Sequence, residues 1–179
     1  MAFGENVTRL SLDDFYRDRS RLSDKRRSAI NFDHPRAIDW KDVERVLAKF
    51  AAGGGVHIPK YDFTTHARAE NGEFVKPKSL IIMDGLWLLR RPALRKLFSC
   101  RIFIHCPQHL RLLRRLGRDR VERGRDPANV RKQFLQQVVP MHDRFVAPQS
   151  RWANIVMKHP KENEISSLAQ RIETLLKTN

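Results

Sequence analysis

Cysteine and long apolar runs are both scarce in this sequence. Its 179 residues include two cysteines, Cys100 and Cys106, on either side of the segment RIFIH. That segment is typical of a strand, which would hold the two thiols roughly 20 Å apart. They cannot pair with each other, although an intermolecular disulfide stays open. The sequence has no secretory signal, and no apolar run approaches the roughly 20 residues of a membrane span. Together with the free thiols, this predicts a cytoplasmic protein without a membrane partner.

Acidic residues are few relative to basic ones. The chain has 20 Asp and Glu against 35 Lys and Arg, a formal charge of +15. Such an excess is typical of nucleic-acid-binding proteins, because clustered cations neutralise backbone phosphates. A basic solvated surface or a site for a phosphorylated ligand would account for the same excess. Arginine favours forked contacts with phosphate oxygens, and the stretch from 111 to 125 has seven: Arg111, Arg114, Arg115, Arg118, Arg120, Arg123 and Arg125.

Strand-like and helix-like segments alternate along a chain of ordinary globular composition, 41% apolar and 31% charged. Its length suits one domain, so residues 1–179 are predicted to form a single domain. Strands are predicted at VTRLS, SLIIMDG, RIFIH and NIVM, and a small hairpin at VHIPKYDF and GEFVKP. Helices are predicted after Asp39, Pro92, Pro107 and Pro127, the last kinked at Pro140, and over a closing segment marked by Ile165, Leu168, Ile172 and Leu175. This order predicts a mainly parallel sheet with helices on both faces.

Carboxylates follow two of the predicted strands. Asp13 comes after VTRLS, with Asp14 beside it, and Asp84 ends SLIIMD. Taken singly, each is more simply explained as a helix cap or a turn residue. Parallel strands would bring both to one edge of the sheet, where two acids can hold magnesium and accept a proton from an attacking hydroxyl.

The segment YDFTTHAR groups two aromatic rings with a histidine. In an extended segment Tyr61 and Phe63 lie on one face, where they could edge a flat ring, and His66 could bond the polar rim of that ring. A hairpin with ordinary aromatic packing and a surface histidine explains the same residues equally well.

Six segments in one order resemble the uridine kinase family, which phosphorylates uridine and cytidine at the 5′ hydroxyl. They are SLDDFYR, NFDHPRAIDW, IPKYDFTTHAR, LIIMDGLWLL, RRLGRDRVERGRD and PMHDRFVAPQ, and the resemblance that runs through them extends from Leu10 to about Val156. The resemblance implies a three-layer P-loop NTPase-like α/β fold with a small β-hairpin and an arginine-rich lid helix. It also implies ATP as cosubstrate, Mg²⁺ as metal and a nucleoside as acceptor, and it leaves a homo-oligomer open.

The resemblance also implies roles for individual residues. Asp13 would be the catalytic base and, with Asp84, a magnesium ligand, while Arg118 and Arg123 would meet the ATP phosphates and the charge on the transferred group. Asp33 would grip the ribose hydroxyls with help from Arg115 and Arg125. The remaining residues would surround the nucleoside, Tyr16 beside the site and the others around the pyrimidine: Tyr16, Phe32, Tyr61, Phe63, His66 and Gln133. Because these assignments explain the arginines, nucleic acid becomes the least favoured partner.

The sequence departs from the family pattern at Asp84 and in the phosphate-binding motif. Asp84 stands where the nucleoside kinases commonly have Glu, and a water-bridged magnesium contact would tolerate the shorter side chain. No GxxxxGK[ST] motif, whose amides and lysine cradle phosphates, occurs in these residues. The expectation is therefore a truncated product or a misassigned start, an exposed apolar sheet face with an unpaired strand edge, and little turnover. The alternative is a loopless relative that binds a nucleoside or a partner in a regulatory role.

Overall fold

Strands and helices alternate in the computed structural model, which describes residues 6–69 and 72–177. The strands are β1 (Val7–Ser11), β2 (Val56–Ile58), β3 (Tyr61–Asp62), β4 (Ala67–Arg68), β5 (Glu73–Val75), β6 (Leu80–Asp84), β7 (Ile102–His105) and β8 (Ile155–Lys158). The α-helices are α1 (Asp24–Ser28), α2 (Trp40–Ala51), α3 (Pro92–Leu97), α4 (Gln108–Arg123), α5 (Pro127–Gln133), α6 (Val139–Met141) and α7 (Glu162–Lys177). Every strand and helix predicted from the sequence is present.

Parallel pairing organises the longer strands. β1 lies parallel to β6 with Ser11 opposite Asp84, and β7 lies parallel to β8 with Ile102 opposite Ile155. Parallel pairing directs the carboxyl ends of both strands of a pair to the same edge. The acidic residues after β1 and at the end of β6 therefore meet at one edge, as the sequence predicted.

The hydrophobic core lies between β1, the turn that follows it and α2. Apolar residues at helical spacing bury one face of α2, where Val43 and Val46 are inaccessible to solvent, and they pack with Leu12 and Phe15. The Asp39 side chain accepts from the Asp42 amide at the start of this helix. Gly53, at φ 74°, follows its end with a backbone conformation that favours glycine.

Two short antiparallel pairs form the excursion between α2 and β6. β2 pairs with β5, which confirms the predicted hairpin. A second pair, β3 with β4, matches Tyr61 to Arg68 and closes the turn between them. The aromatic residues of YDFTTHAR are thus presented by a tight turn instead of one extended strand.

The long helical segment after Pro127 is less regular than a single kinked helix. Wide helical turns occupy Phe134–Val138 and His142–Val146, on either side of α6, and a 3₁₀ segment follows at Ala147–Trp152. Pro140 has no amide hydrogen to donate, and in a regular α-helix its ring would clash with the carbonyl four residues earlier. The wide helical turns on either side of α6 accommodate the proline. Val130 and Phe134 are nevertheless buried, as their spacing predicted.

Some apolar strand residues are exposed, which agrees with the expected exposure on the sheet. Ile82 on β6 is 41% exposed and Ile104 on β7 is 58% exposed. Within the described residues β6 is hydrogen-bonded to one neighbouring strand, β1, so its other edge is unpaired there. On α7, Ile165 is also exposed, and the Leu175 side chain lies outside the described residues.

Both cysteines are free, as expected. Among the helices of residues 6–69 and 72–177, none combines the length and apolar character needed to cross a membrane.

Candidate functional site

The shared edge of β1 and β6 carries the paired acidic residues. The Ser11 hydroxyl donates to Asp84 Oδ2 at 3.2 Å, and the oxygen of that hydroxyl accepts from the Asp13 amide at 3.4 Å. Asp13 lies in a 3₁₀ turn, Leu12–Phe15, whose apolar residues are buried, so its carboxylate is held at the surface. The structure thus brings Asp13 and Asp84 to one edge, linked through a single hydroxyl.

Five ring-bearing residues form an aromatic cluster beside this edge, consisting of Tyr16, Phe32, Tyr61, Phe63 and His66. Tyr16 lies 5.2 Å from Tyr61 and meets Phe63 edge-on at 5.7 Å, measured between ring centroids. Phe32 stacks on His66 at 4.5 Å, and the Tyr61 hydroxyl is 3.1 Å from His66 Nδ1. Every ring that the resemblance assigned to the nucleoside pocket is therefore in this cluster.

The turn that presents Phe63 and His66 is held by its own side chains and by the preceding loop. Asp62 accepts from the Thr64 amide at 2.7 Å and the Thr65 hydroxyl at 2.8 Å, and these bonds lower the Asp62 pKa. Arg27 donates to the Thr65 carbonyl at 2.9 Å. His66 itself adopts a φ of 56°, in the left-handed region that non-glycine residues seldom occupy. The ring of His66 is thus aimed by a strained, well-braced turn.

Asp33 is placed by a turn in NFDHP. Its amide donates to Asn31 Oδ1 at 2.9 Å, and the His34 ring nitrogen accepts from the Arg36 amide at 3.0 Å, which starts the 3₁₀ turn at Pro35. The Tyr16 hydroxyl donates to the Phe32 carbonyl at 3.2 Å. These bonds hold Phe32 in the aromatic cluster, and they place its neighbour Asp33 next to the arginines of α4.

An arginine cluster surrounds Asp33 and consists of Arg115, Arg118, Arg125, Gln133 and Asp119. Arg115 Nη1 lies 3.8 Å from Asp33 Oδ1, and its Nη2 donates to Gln133 Oε1 at 2.9 Å. Arg118 Nη2 and Arg125 Nη1 lie 2.9 Å and 3.5 Å from the carboxylate of Asp119. Arg115 and Arg125, assigned to the acceptor, thus lie near Arg118, assigned to the phosphates.

Burial governs the pKa values in the two clusters. Burial raises the pKa of Asp33, although Arg115, Arg118 and Arg125 oppose this rise and Asp119 adds to it. Burial also raises the pKa of Tyr61 to about 12. The Tyr61 hydroxyl therefore stays protonated at neutral pH and remains able to donate to His66.

Asp119 is a residue that the sequence motifs did not single out. It lies four residues after Arg115 on α4, so the two side chains share a helix face, and its own side chain is fully buried. An acid within an arginine run was the signal that could have identified it. Gln133, assigned to the pyrimidine, contacts Arg115 in this structure. Arg123 is the last residue of α4, and its side chain lies outside the described residues.

The residues at the shared strand edge suit magnesium. This ion takes one or two carboxylates and completes its octahedron with waters and phosphate oxygens. Asp13 and Asp84 supply hard oxygen donors at the surface, and Ser11 joins them. Groups of three or more metal-ligating side chains are absent from the described residues.

Comparisons with known proteins identify the family. The profile described as "Phosphoribulokinase / Uridine kinase family" matches residues 1–166. The uridine kinase of Deinococcus deserti is 35% identical over 175 residues, which are 97% of this chain and 84% of that protein. The uridine kinase of Vibrio vulnificus is 38% identical over 167 residues, or 92% of this chain and 78% of that protein.

Solved structures show the same fold at lower identity. Phosphoribulokinase from Rhodobacter spheroides matches with a TM-score of 0.63 and 16% identity, over 86% of this chain and 60% of that one. A possible uridine kinase from Bacillus stearothermophilus matches with a TM-score of 0.55 and 15% identity, over 85% of this chain and 72% of that one. These likenesses confirm the α/β fold of the P-loop kinases. By its profile match and its relatives, the chain belongs to the phosphoribulokinase/uridine kinase family.

Proposed function

We propose that this kinase-family chain binds uridine or cytidine and serves the transfer of a phosphoryl group from ATP to the 5′ hydroxyl. The observation that carries the proposal is the junction of two clusters at Phe32 and Asp33. Phe32 stacks on His66 within the aromatic cluster, while Asp33 faces Arg115. A nucleoside has two parts that match these clusters: its flat base suits the aromatic rings, and the vicinal hydroxyls of its ribose suit Asp33.

The aromatic cluster is the proposed base site. Tyr61, Phe63 and Tyr16 offer ring faces and edges, and His66 offers a ring nitrogen for the polar rim of a pyrimidine. Asp33 is the proposed ribose site, since an ionised carboxylate can accept from two hydroxyls. Arg115 and Arg125 would hold that carboxylate in its ionised form, and Gln133 would orient Arg115.

Asp13 is the proposed catalytic base. It would take the proton of the 5′ hydroxyl as the oxygen bonds to the γ-phosphorus of ATP and the bond to the β-phosphate oxygen breaks, releasing ADP. Asp13 and Asp84 would hold Mg²⁺, which supplies charge neutralisation on the phosphates when bound. Arg118, whose side chain is 45% exposed, and Arg123 are the proposed donors to the transferred group.

These 179 residues contain no GxxxxGK[ST] motif, so no lysine and amide cradle of that kind is available among them for the β- and γ-phosphates. We therefore expect this stretch of chain to carry acceptor binding, with little turnover by itself. Acceptor binding is the property to measure first.

Calorimetric titration of uridine and of cytidine into the 179-residue chain tests the acceptor site. We expect both nucleosides to bind, and Asp33→Ala to weaken binding by at least about tenfold, the effect of one charge-assisted hydrogen bond. Glu164→Ala removes an exposed carboxylate from the first turn of α7 and serves as the control that keeps full affinity. Repeating the titration with ATP and magnesium then measures phosphate-donor binding separately.

A chain that is folded by circular dichroism but binds neither nucleoside would contradict the proposed acceptor. Equal affinity in Asp33→Ala would contradict the ribose role while leaving the base site standing. If the chain instead bound DNA or RNA in a strongly salt-dependent way and bound no nucleoside, the arginines would be reassigned to nucleic-acid binding.

A further inference from the structure

Asp119 is a buried carboxylate at the centre of the arginine cluster. Its side chain is fully inaccessible, and three guanidinium groups surround it. Arg118 donates to Oδ1 from Nε at 3.0 Å and from Nη2 at 2.9 Å. Arg115 Nε and Arg125 Nη1 lie 3.6 Å and 3.5 Å from Oδ2. The backbone carbonyl of Asp119 also accepts from the Arg125 amide at 3.0 Å, so Asp119 fixes both the side chain and the main chain of Arg125.

The nitrogens of Arg115 are divided among three acceptors. Nη2 donates to Gln133 at 2.9 Å, whereas Nε lies 3.6 Å from Asp119 and Nη1 lies 3.8 Å from Asp33, both beyond hydrogen-bonding distance but within reach of an ion pair. The hydrogen bond to Gln133 and the ion pair with Asp119 draw this planar guanidinium away from a forked pair with Asp33. The Asp33 carboxylate is in this way balanced by a nearby cation and is still able to accept other hydrogen bonds.

We propose that Asp119 is a positioning residue that holds Arg115 and Arg125 short of Asp33, so that Asp33 stays available to the hydroxyls of the acceptor. This inference rests on the proposed nucleoside site. Asp119 touches neither the acceptor nor ATP and acts through the two arginines. Without its charge, Arg115 turns to the remaining carboxylate, Asp33, and the forked pair that forms competes with the ligand.

The charges around Asp33 give this role a measurable signature. The groups that face Asp33 are Arg115, Arg118 and Arg125, which lower its pKa, and Asp119, which raises it. Removing the Asp119 charge therefore lowers the Asp33 pKa, first by loss of a like charge and further by the approach of Arg115. The positioning role therefore requires two results together: the Asp33 pKa falls, and the affinity for the ligand also falls.

The experiment compares wild type, Asp119→Asn and the charge control Glu164→Gln. Carbon-detected NMR titration of the Asp33 carboxyl group gives its pKa in each ligand-free chain, and uridine calorimetry at neutral pH gives the affinity. In Asp119→Asn we expect a lower Asp33 pKa together with uridine binding about tenfold weaker. Glu164→Gln should match wild type in both, and Asp119→Glu, which restores the charge, should recover part of the affinity.

Each other combination overturns the inference. A lower Asp33 pKa with unchanged affinity would mean that Asp119 acts on Asp33 by charge alone. Weaker binding with an unchanged pKa would mean that the substitution only disturbs the packing. If wild type binds no uridine, the proposed function fails, and the guanidinium signals of Arg115 described below then test the hold on Arg115 separately.

A measurement on wild type covers the case in which Asp119→Asn does not fold. A guanidinium that is hydrogen-bonded to Gln133 and ion-paired with Asp119 should rotate slowly, so NMR should show separate Nη1 and Nη2 proton signals for Arg115. Arg120 lies on the same helix but is exposed, so it serves as the reference and should show averaged signals. Averaged signals for Arg115 as well would overturn the inference.

Discussion

Tyr61 contributes to the core and to the candidate site with different parts of one side chain. The residue is only 5% exposed, its ring packs against Tyr16 and Phe63, and its hydroxyl reaches His66. The ring contributes burial, and the hydroxyl sets the orientation of His66. Because the core and the site share this residue, changes at Tyr61 should alter stability and ligand binding together.

The Tyr61 hydroxyl should titrate well above an ordinary tyrosine. The chain has two tyrosines, so in Tyr16→Phe the phenolate absorbance reports Tyr61 alone. We expect a midpoint of about 12 instead of the ordinary 10.0, because burial disfavours the phenolate. The neutral form stabilises the fold fully below the unfolded pKa, and this stability is lost as pH rises through about 12. A midpoint near the ordinary value in a chain still folded by circular dichroism would contradict the burial.

Asp33 should oppose folding at neutral pH. Its pKa is raised by burial above the ordinary 3.8, so the folded state binds its proton more tightly than the unfolded state. The stability that this proton provides is present below 3.8 and is lost as pH rises through the folded pKa. Asp33→Asn should therefore unfold a few degrees higher than wild type at neutral pH, with the difference shrinking in acid. Thermal unfolding followed across pH measures this; a lower midpoint at neutral pH would show that the arginines outweigh burial.

At the scale of elements, α4 and α5 build the arginine cluster from two directions. Arg115, Arg118 and Asp119 come from α4, while Gln133 comes from the end of α5. A tight turn joins the two helices, and Gly124 in this turn has a φ of 58°. The position of Gln133 therefore depends on how α5 begins.

Capping of α5 can be tested at Asp126. Its side chain accepts from the Asn129 amide at 2.9 Å, and Pro127 occupies the first helical position. Asp126→Ala should lower the free energy of unfolding by about 1 kcal/mol, whereas Asp126→Asn, which can still cap, should lose much less. Denaturant unfolding of the three chains gives these values. Equal losses in both variants would assign the effect to charge and not to the cap.

At the scale of the whole molecule, a charge of +15 acts on stability through repulsion between basic groups. The ion pairs within the arginine cluster and between Arg68 and Asp42 relieve only part of this excess. Repulsion among the remaining cations is long-ranged and therefore sensitive to salt. Stability should depend on ionic strength even though the core is apolar.

Salt should stabilise the chain. Raising the ionic strength from roughly 0.01 M to 1 M shortens the Debye length from about 30 Å to about 3 Å, which screens the repulsion. We expect the unfolding temperature to rise by several degrees in sodium chloride, as scanning calorimetry would measure. A fall in unfolding temperature would indicate that the attractive ion pairs dominate the surface electrostatics instead.

The sequence by itself determined the elements and the fold family, and it predicted which rings lie together. β1, β6 and α2 follow from apolar spacing, Asp39 and Pro127 mark helix starts, and the ordered motifs predicted the rings that meet around Tyr61. Periodicity, caps and turns act between residues a few positions apart, so they can be read along a single chain.

Only the tertiary structure decided which partner each charged or polar group takes. Arg115 could pair with several nearby acids, and packing of α4 against α5 divides it between Asp119, Gln133 and Asp33. The bond from Ser11 to Asp84 joins residues 73 positions apart. The choice among partners depends on distances and on burial, which raises the cost of leaving a charge uncompensated. Both come into existence only when the elements pack, and no local pattern encodes them.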